Sequence, residues 1–336
     1  MRRVVVITTS YPTDANDPQG HFVAAEVRGL CEDAQVTVLA PGRERMALGA
    51  ERVVGLDGGD AFGFPGALSR IGEQIWRVLP AAQFVMSAIH WLRSQPPPSE
   101  LVAHFLLPCG VPIATRGRAS RETQLEVVVH GSDARLFAQF PLGQGFLARE
   151  LLRTDARLRF VSEQLRSLVL GAIPLRERQR LEARSRVQAC VIDTGGIPTK
   201  AAARVALGLD PSAPVALIVS RLLPSKRIEV ALRACSLIPD LQVIVVGDGP
   251  SRQRLAVAFP GASFVGHTPR PQALAYISAA DVLVSASLEE GSPSVVREAR
   301  ALGTQVVCLE AGDLALWAAR DPGLQVLPSS IAALKN

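Results

Sequence analysis

Short apolar, β-branched runs recur along the chain, separated by longer stretches whose apolar positions fall three and four apart. Residues 4–7, 36–39, 125–129, 158–161 and 189–192 read as buried strands of a first half, with 101–103 a weaker member of that set. Residues 215–219, 241–246, 263–265, 282–285 and 306–308 read as those of a second half. Strands that are apolar throughout, rather than alternating, are buried on both faces, which predicts parallel sheets covered by helices. Two such sets predict an α/β chain of two Rossmann-like parallel-sheet domains facing a cleft, 1–195 and 196–336. The break falls at the loop-like run Thr194-Gly195-Gly196-Ile197-Pro198. In such folds ligands gather beyond the C-terminal ends of the strands, so the chemistry is expected on residues that follow strands.

Composition narrows the classes. The chain has 336 residues, 48% of them hydrophobic, enough for two cores. No run of eighteen apolar residues occurs, so a membrane-spanning helix is not expected. Met1-Arg2-Arg3 leads straight into Val4, too short a run for a signal-peptide core. Net charge is +5, but the arginines are spread and aromatics make up only 5%, which argues against a nucleic-acid surface. Cys31, Cys109, Cys190, Cys235 and Cys308 are scattered, with no CxxC or Cys/His cluster. Neither a disulfide framework nor a metal site is expected, and a reducing cytoplasm is the simplest setting.

Several post-strand segments carry chemistry. Glu290 and Glu298 stand eight positions apart around Gly291-Ser292-Pro293-Ser294-Val295. Ser292 as cap, Pro293 at the first helical position and Gly303 after the end predict a helix, with Glu290 on the loop before it. Free amides and the dipole at such a start favour a phosphate, and a nearby carboxylate accepts from sugar hydroxyls. After 215–219 come Arg221 and Lys226, two cations able to converge on one diphosphate. After 125–129 comes His130-Gly131-Ser132-Asp133, in which Asp133 can also simply cap the next helix. Cys109 has no base to activate it. Between 67 and 95, Ile71, Ile75, Trp76, Leu79 and Phe84 lie at helical spacing, with Arg70, Glu73 and Arg77 on a polar face. Pro80 is expected to split this stretch into two helices. It packs on the first sheet or, alternatively, meets a membrane or lipid acceptor.

The run Glu290-Gly291-Ser292-Pro293 through Glu298-Ala299-Arg300-Ala301-Leu302-Gly303 resembles the Glu-x7-Glu signature of retaining glycosyltransferases of the GT-B fold, family 4. Arg221-Leu222 with Lys226, the His130 tetrad, and Gly247-Asp248-Gly249-Pro250 are similar to further segments of that family. The resemblance implies that Glu290 contacts the donor sugar, with Gly291, Ser292, Ser294 and Val295 beside it. Glu298 then binds ribose hydroxyls. Gly266 and His267 lie at the base, and Gly20 lies near the donor phosphates. Arg221 and Lys226 stabilise the leaving diphosphate, and His130 meets the sugar or acceptor. Asp133 and His104 lie on the acceptor side. The donor is a UDP- or GDP-linked sugar, with no cofactor and no metal. The acceptor is a glycan or lipid-linked glycan, handled in the cytoplasm or peripherally at the inner face of the membrane. Ser220 and Arg227 depart from the family, standing where glycines are usual; Arg227 crowds the loop or adds a third cation. The chain also stops at Asn336, short of the family's returning helices, and 312–319 lacks the usual Gly-Gly-x-x-Glu. Those departures keep a non-catalytic nucleotide-sugar-binding pseudoenzyme as an alternative, beside a nucleotide-sugar epimerase.

Overall fold

The structure, a computed structural model, describes residues 2–14, 16–17, 19–42, 47–58, 61–62, 75–115, 122–139 and 141–328. Arg70, Glu73 and the last eight residues, Asn336 included, lie outside them. The chain divides into two compact units, Met1–Val191 and Ile192–Asn336.

The first unit is built on β1 (Arg2–Ile7), β2 (Ala34–Pro41), β3 (Arg52–Leu56), β4 (Glu100–His104), β5 (Gln124–Val129), β6 (Arg157–Phe160) and β7 (Ser185–Val187). They form one parallel sheet in the order β3-β2-β1-β4-β5-β6-β7. The second unit holds β8 (Val215–Val219), β9 (Gln242–Val246), β10 (Ala262–Gly266), β11 (Val282–Ser285), β12 (Gln305–Leu309) and β13 (Leu324–Leu327), parallel in the order β10-β9-β8-β11-β12-β13. The apolar strands explain the architecture. Along β8, Val215 and Leu217 pack with Leu274, Val296 and Leu314, while Ala216 and Ile218 pack with Ile228, Leu232 and Leu255. Alternate residues thus feed two separate cores, one on each face, and each fully buried Leu or Ile contributes about 1.5–3 kcal/mol. In each sheet the strand order reverses at one place: between β1 and β4, and between β8 and β11. Loops leaving the C-terminal ends of those strands are the places where such sheets hold ligands.

Three expectations are corrected. The strand expected at 189–192 is irregular, and the edge strand lies earlier, at Ser185–Val187. Cys190 is buried there without sheet pairing, so its apolar neighbourhood imitates a strand. β3 was not anticipated: at the other edge, Gly55 interrupts its short apolar run. Pro80 does not split its helix, which runs unbroken over Val78–Ser94 after a short 3-10 turn, Ile75–Arg77. Proline falls in the first turn, where no amide donates within the helix and the ring meets no preceding carbonyl.

Candidate functional site

In the second unit, two loops leave adjacent strands at the reversal, 220–227 after β8 and 286–293 after β11. Three bonds join them. The Leu288 amide donates to the Ser225 carbonyl at 3.0 Å, Arg227 Nε donates to the Ala286 carbonyl at 2.8 Å, and Lys226 Nζ donates to Glu290 Oε1 at 2.7 Å. The Lys226 and Glu290 side chains are 18% and 15% exposed, so the pair is partly shielded yet reachable. Arg221 lies on the same loop within electrostatic reach of Glu290. Surrounding protein lowers its pKa, although the residue keeps solvent access, and the Glu290 charge works in the opposite sense.

The structure shows how the two departures from glycine are accommodated. Arg227 adopts φ +45°, the left-handed conformation that glycine takes most readily, and its bond to Ala286 offsets the strain. Its Nη2 is buried without a partner. Ser220 presses its carbonyl against Gly247, where any Cβ would collide with it. Gly247-Asp248-Gly249-Pro250 therefore makes a close turn. Gly312, after β12, was not singled out by sequence reasoning. At φ +57°, a Cβ there would lie 2.7 Å from the Glu290 carbonyl, so this glycine supports the backbone that presents Glu290. Its only sequence signal is a glycine just beyond a strand.

The expected helix spans Ser294–Ala301, one residue later than predicted. Pro293 occupies the cap position, with extended ψ 108°, and no side chain caps the helix. Ser292 is therefore not the cap; its Oγ is buried without a partner. Proline in the cap slot offers no side-chain acceptor. Glu298 lies one turn into the helix, 4% exposed, accepting from Arg270 Nη1 at 2.7 Å. Arg270 also donates to the Asp193 carbonyl at 3.0 Å. Gly266 (φ +87°) ends β10, His267 is exposed, and the hydroxyl of buried Thr268 has no partner.

The first unit gathers a different group around β1, β4 and β5. His104 ends β4, His130 follows β5, and Glu26 lies on the helix His21–Leu30. His104 Nδ1 is 3.2 Å from His130 Nε2, and His104 Nε2 is 3.4 Å from Glu26 Oε2. Arg159 on β6 holds Glu26 bidentately, at 2.8 and 2.6 Å, and its Nε lies 3.2 Å from Glu126 Oε2. Phe22 and Phe105 pack on the His130 ring, with centroids 5.0 and 4.6 Å away. Phe105 has φ +80°, a strained value for a bulky residue. Asp133 was expected on the acceptor side or as a cap. It is 3% exposed inside the helix Gly131–Gln139, and its Oδ2 accepts from the amides of Leu106 at 2.6 Å and His130 at 3.2 Å. It thus ties the strained loop to the histidine segment. Gly20 (φ +66°) starts the first helix, and a Cβ there would collide with the Ser10 carbonyl, so the chain's own packing requires glycine.

Burial governs the electrostatics here. It lowers His104 to about 4 despite the opposing charge of Glu26, and it lowers His130 well below the usual imidazole range. It raises Asp133 to about 6 against several backbone hydrogen bonds. Burial also acts to raise Glu26, but hydrogen bonds from Arg159 and Cys190 and nearby positive charge leave it below the ordinary carboxyl value. Burial pushes the Cys109 thiol up, and the nearby charge of Asp133 acts in the same sense. His104, His130 and Cys190 bring their ligand atoms within 4.8 Å of one another, a cluster that linear spacing concealed.

Comparison with known proteins places the second unit. Residues 213–336 match the family model described as glycosyl transferases group 1. The chain is 30% identical over 247 residues to TuaC of Bacillus subtilis (strain 168), which bears the name of a teichuronic acid biosynthesis glycosyltransferase; the match covers 70% of this chain and 59% of TuaC. A D-inositol 3-phosphate glycosyltransferase of Mycolicibacterium gilvum (strain PYR-GCK) is 37% identical over 127 residues, 34% of this chain and 28% of that protein. The chain therefore spans less than two thirds of either relative. Among solved structures, sucrose-phosphate synthase of Thermosynechococcus elongatus is similar with a TM-score of 0.74, covering 99% of this chain and 88% of that one at 18% identity. That likeness establishes the fold, the two parallel-sheet units of the GT-B type.

Proposed function

We propose that the chain is a nucleotide-sugar-dependent glycosyltransferase that acts with retention in glycan or cell-surface polysaccharide synthesis. The observation that carries this reading is the Lys226–Glu290 pair at 2.7 Å on two loops joined at a strand-order reversal, with Arg221 beside it. A sugar leaving a nucleotide deposits negative charge on the diphosphate. Fixed cations at that point lower the energy of the transition state more than that of the ground state. Lys226 and Arg221 supply the cations, the uncapped start of the helix Ser294–Ala301 supplies amides, and Glu290, held by Lys226, accepts from the sugar hydroxyls. Glu298, already paired with Arg270 at 2.7 Å, would on this reading also accept from the ribose hydroxyls. On this reading the diphosphate oxygen takes the acceptor proton on the face it leaves, the donor is UDP- or GDP-linked, and no metal is required. The names of the two relatives support the class of reaction.

The first unit serves the acceptor in this scheme. A lipid-linked acceptor is supported by the helix Val78–Ser94 and the turn before it, where Trp76, Leu79 and Met86 are 53%, 72% and 63% exposed along one stripe. Apolar rings and chains on one helical face suit a membrane surface. The test is a panel of labelled nucleotide sugars, assayed with and without anionic lipid vesicles. Slow release of sugar from one donor supports a transferase. Conversion of one sugar nucleotide into another would make the chain an epimerase, and binding without turnover would make it a pseudoenzyme.

A further inference from the structure

The buried group in the first unit contains a directional chain. Arg159 grips both oxygens of Glu26, at 2.8 and 2.6 Å, so the carboxylate stays charged and fixed. A carboxylate only accepts hydrogen bonds. The negative charge of Glu26 Oε2, 3.4 Å from His104 Nε2, favours the proton on that nitrogen over a second lone pair facing the carboxylate. Being neutral, His104 has its lone pair on Nδ1. His130 Nε2, 3.2 Å from that lone pair, must then carry a proton too. One nitrogen is left: His130 Nδ1, with a lone pair and no proton.

The ring geometry supports a hydrogen bond rather than a shared metal ion. The two imidazoles lie 21° from coplanar with centroids 5.4 Å apart. For a nitrogen contact of 3.2 Å that separation is near the longest possible, so the rings meet end to end. Each ring then points one nitrogen at the other ring, so those two nitrogens face each other rather than a shared ion. The Cys190 thiol is itself engaged with Glu26. Burial, which holds both rings neutral, permits this alternation of donor and acceptor. Phe22 and Phe105 block ring rotation from the sides, and Asp133 fixes the backbone of His130. Both rings are buried, His104 at 1% and His130 at 8% exposure, so His130 is the more accessible end of the chain.

We infer that Glu26 is a positioning residue which, through His104, fixes His130 in the form that accepts a hydrogen bond at Nδ1. His130 thus selects a ligand hydroxyl that donates to it, and rejects a carbonyl or ether oxygen at the same place. The ligand, a sugar or acceptor hydroxyl, rests on the transferase reading; the chain of protons does not. No bond is made or broken in this role.

Imidazole nitrogen shifts measured by nitrogen-15 NMR on the full chain, labelled at its five histidines, give the test. Single histidine variants assign the signals. In the parent, His104 and His130 are both expected as the Nε2-protonated form, each with an unprotonated Nδ1. Glu26→Ala removes the anchor, and the His130 nitrogens should move toward the average of the two forms. A proton on Nδ1 of His130 in the parent would overturn the inference even if the variant failed to fold. So would unchanged shifts in a folded Glu26→Ala. The measurement needs no substrate, so a failed donor assay leaves it standing, and a reversed tautomer leaves the donor site untouched.

Discussion

The two strand-order reversals solve the same geometric problem with opposite materials. In the first unit the residues beyond β1, β4 and β5 are buried and locked: two neutral imidazoles, a carboxylate gripped by arginine, and a strained Phe105. In the second unit the residues beyond β8 and β11 are charged, partly exposed and joined loop to loop, with the Ser292 hydroxyl and one Arg227 nitrogen unpartnered. A site that must fix the direction of a hydrogen bond gains from burial, which keeps imidazoles neutral. A site that must meet a dianion gains from charge kept near water until the ligand arrives. The contrast predicts that substitutions in the first unit act mainly on stability and pH response, and those in the second mainly on turnover.

The largest expected effect breaks the first side of the contrast. Arg159→Leu strands the Glu26 carboxylate in the interior, and removing one member of a buried pair costs about 3–5 kcal/mol. Urea unfolding should register that loss; a shift under about 1 kcal/mol, the scale of a surface pair, would show that the network is not buried in solution. Next, Lys226→Ala and Glu290→Gln should each lower turnover about a hundredfold, as loss of one preorganised stabilising group does, with little change in unfolding. Turnover equal to the parent in both would remove the charged loops from the reaction.

The third expectation concerns pH. His104 is held at about 4 against an ordinary 6.5, so between those values the unfolded chain binds more protons and stability rises with pH. His130 acts in the same direction. Asp133, raised to about 6 from 3.8, acts in the opposite one: the folded chain holds the extra proton, and stability falls as pH climbs through that window. Two histidines outweigh one aspartate, so the parent should gain stability from about pH 4 to about pH 6. Asp133→Asn should steepen that gain, measured as urea midpoints at the two pH values; a flatter profile would contradict the assignment of Asp133. The smallest effect belongs to Arg227→Gly. Relief of the left-handed strain, about 1–2 kcal/mol, offsets loss of the bond to Ala286, about 1 kcal/mol, so thermal unfolding should shift little. A large loss would mean that Arg227 holds the loops together through more than that bond.

Much of this was legible along the chain because parallel, doubly covered strands leave unbroken apolar runs. The Glu290 segment, Arg221 and Lys226 were readable because each follows such a run directly. Of the first-unit network only His104, His130 and Asp133 were singled out; the partners that lock them were not. Glu26 sits mid-helix, Arg159 on a strand that reads as apolar, and Cys190 in a connection; the β1–β4 crossover brings the first to His104, and the run β4-β5-β6-β7 brings the other two. Gly312 was missed for a similar reason, since its contact is with the Glu290 backbone from a different loop. Ser292 misled because serine near a helix start is usually a cap, and here proline took the slot.

The central claim is that Lys226, Arg221 and Glu290 form the seat of a nucleotide diphosphate. Equilibrium binding of UDP and GDP to the parent and to Lys226→Ala tests it most directly. The account predicts saturable binding of one of them, weakened at least about tenfold in the variant, the equivalent of ~1.4 kcal/mol. Equal affinity in both proteins, or no binding of either nucleotide by the parent, would contradict it.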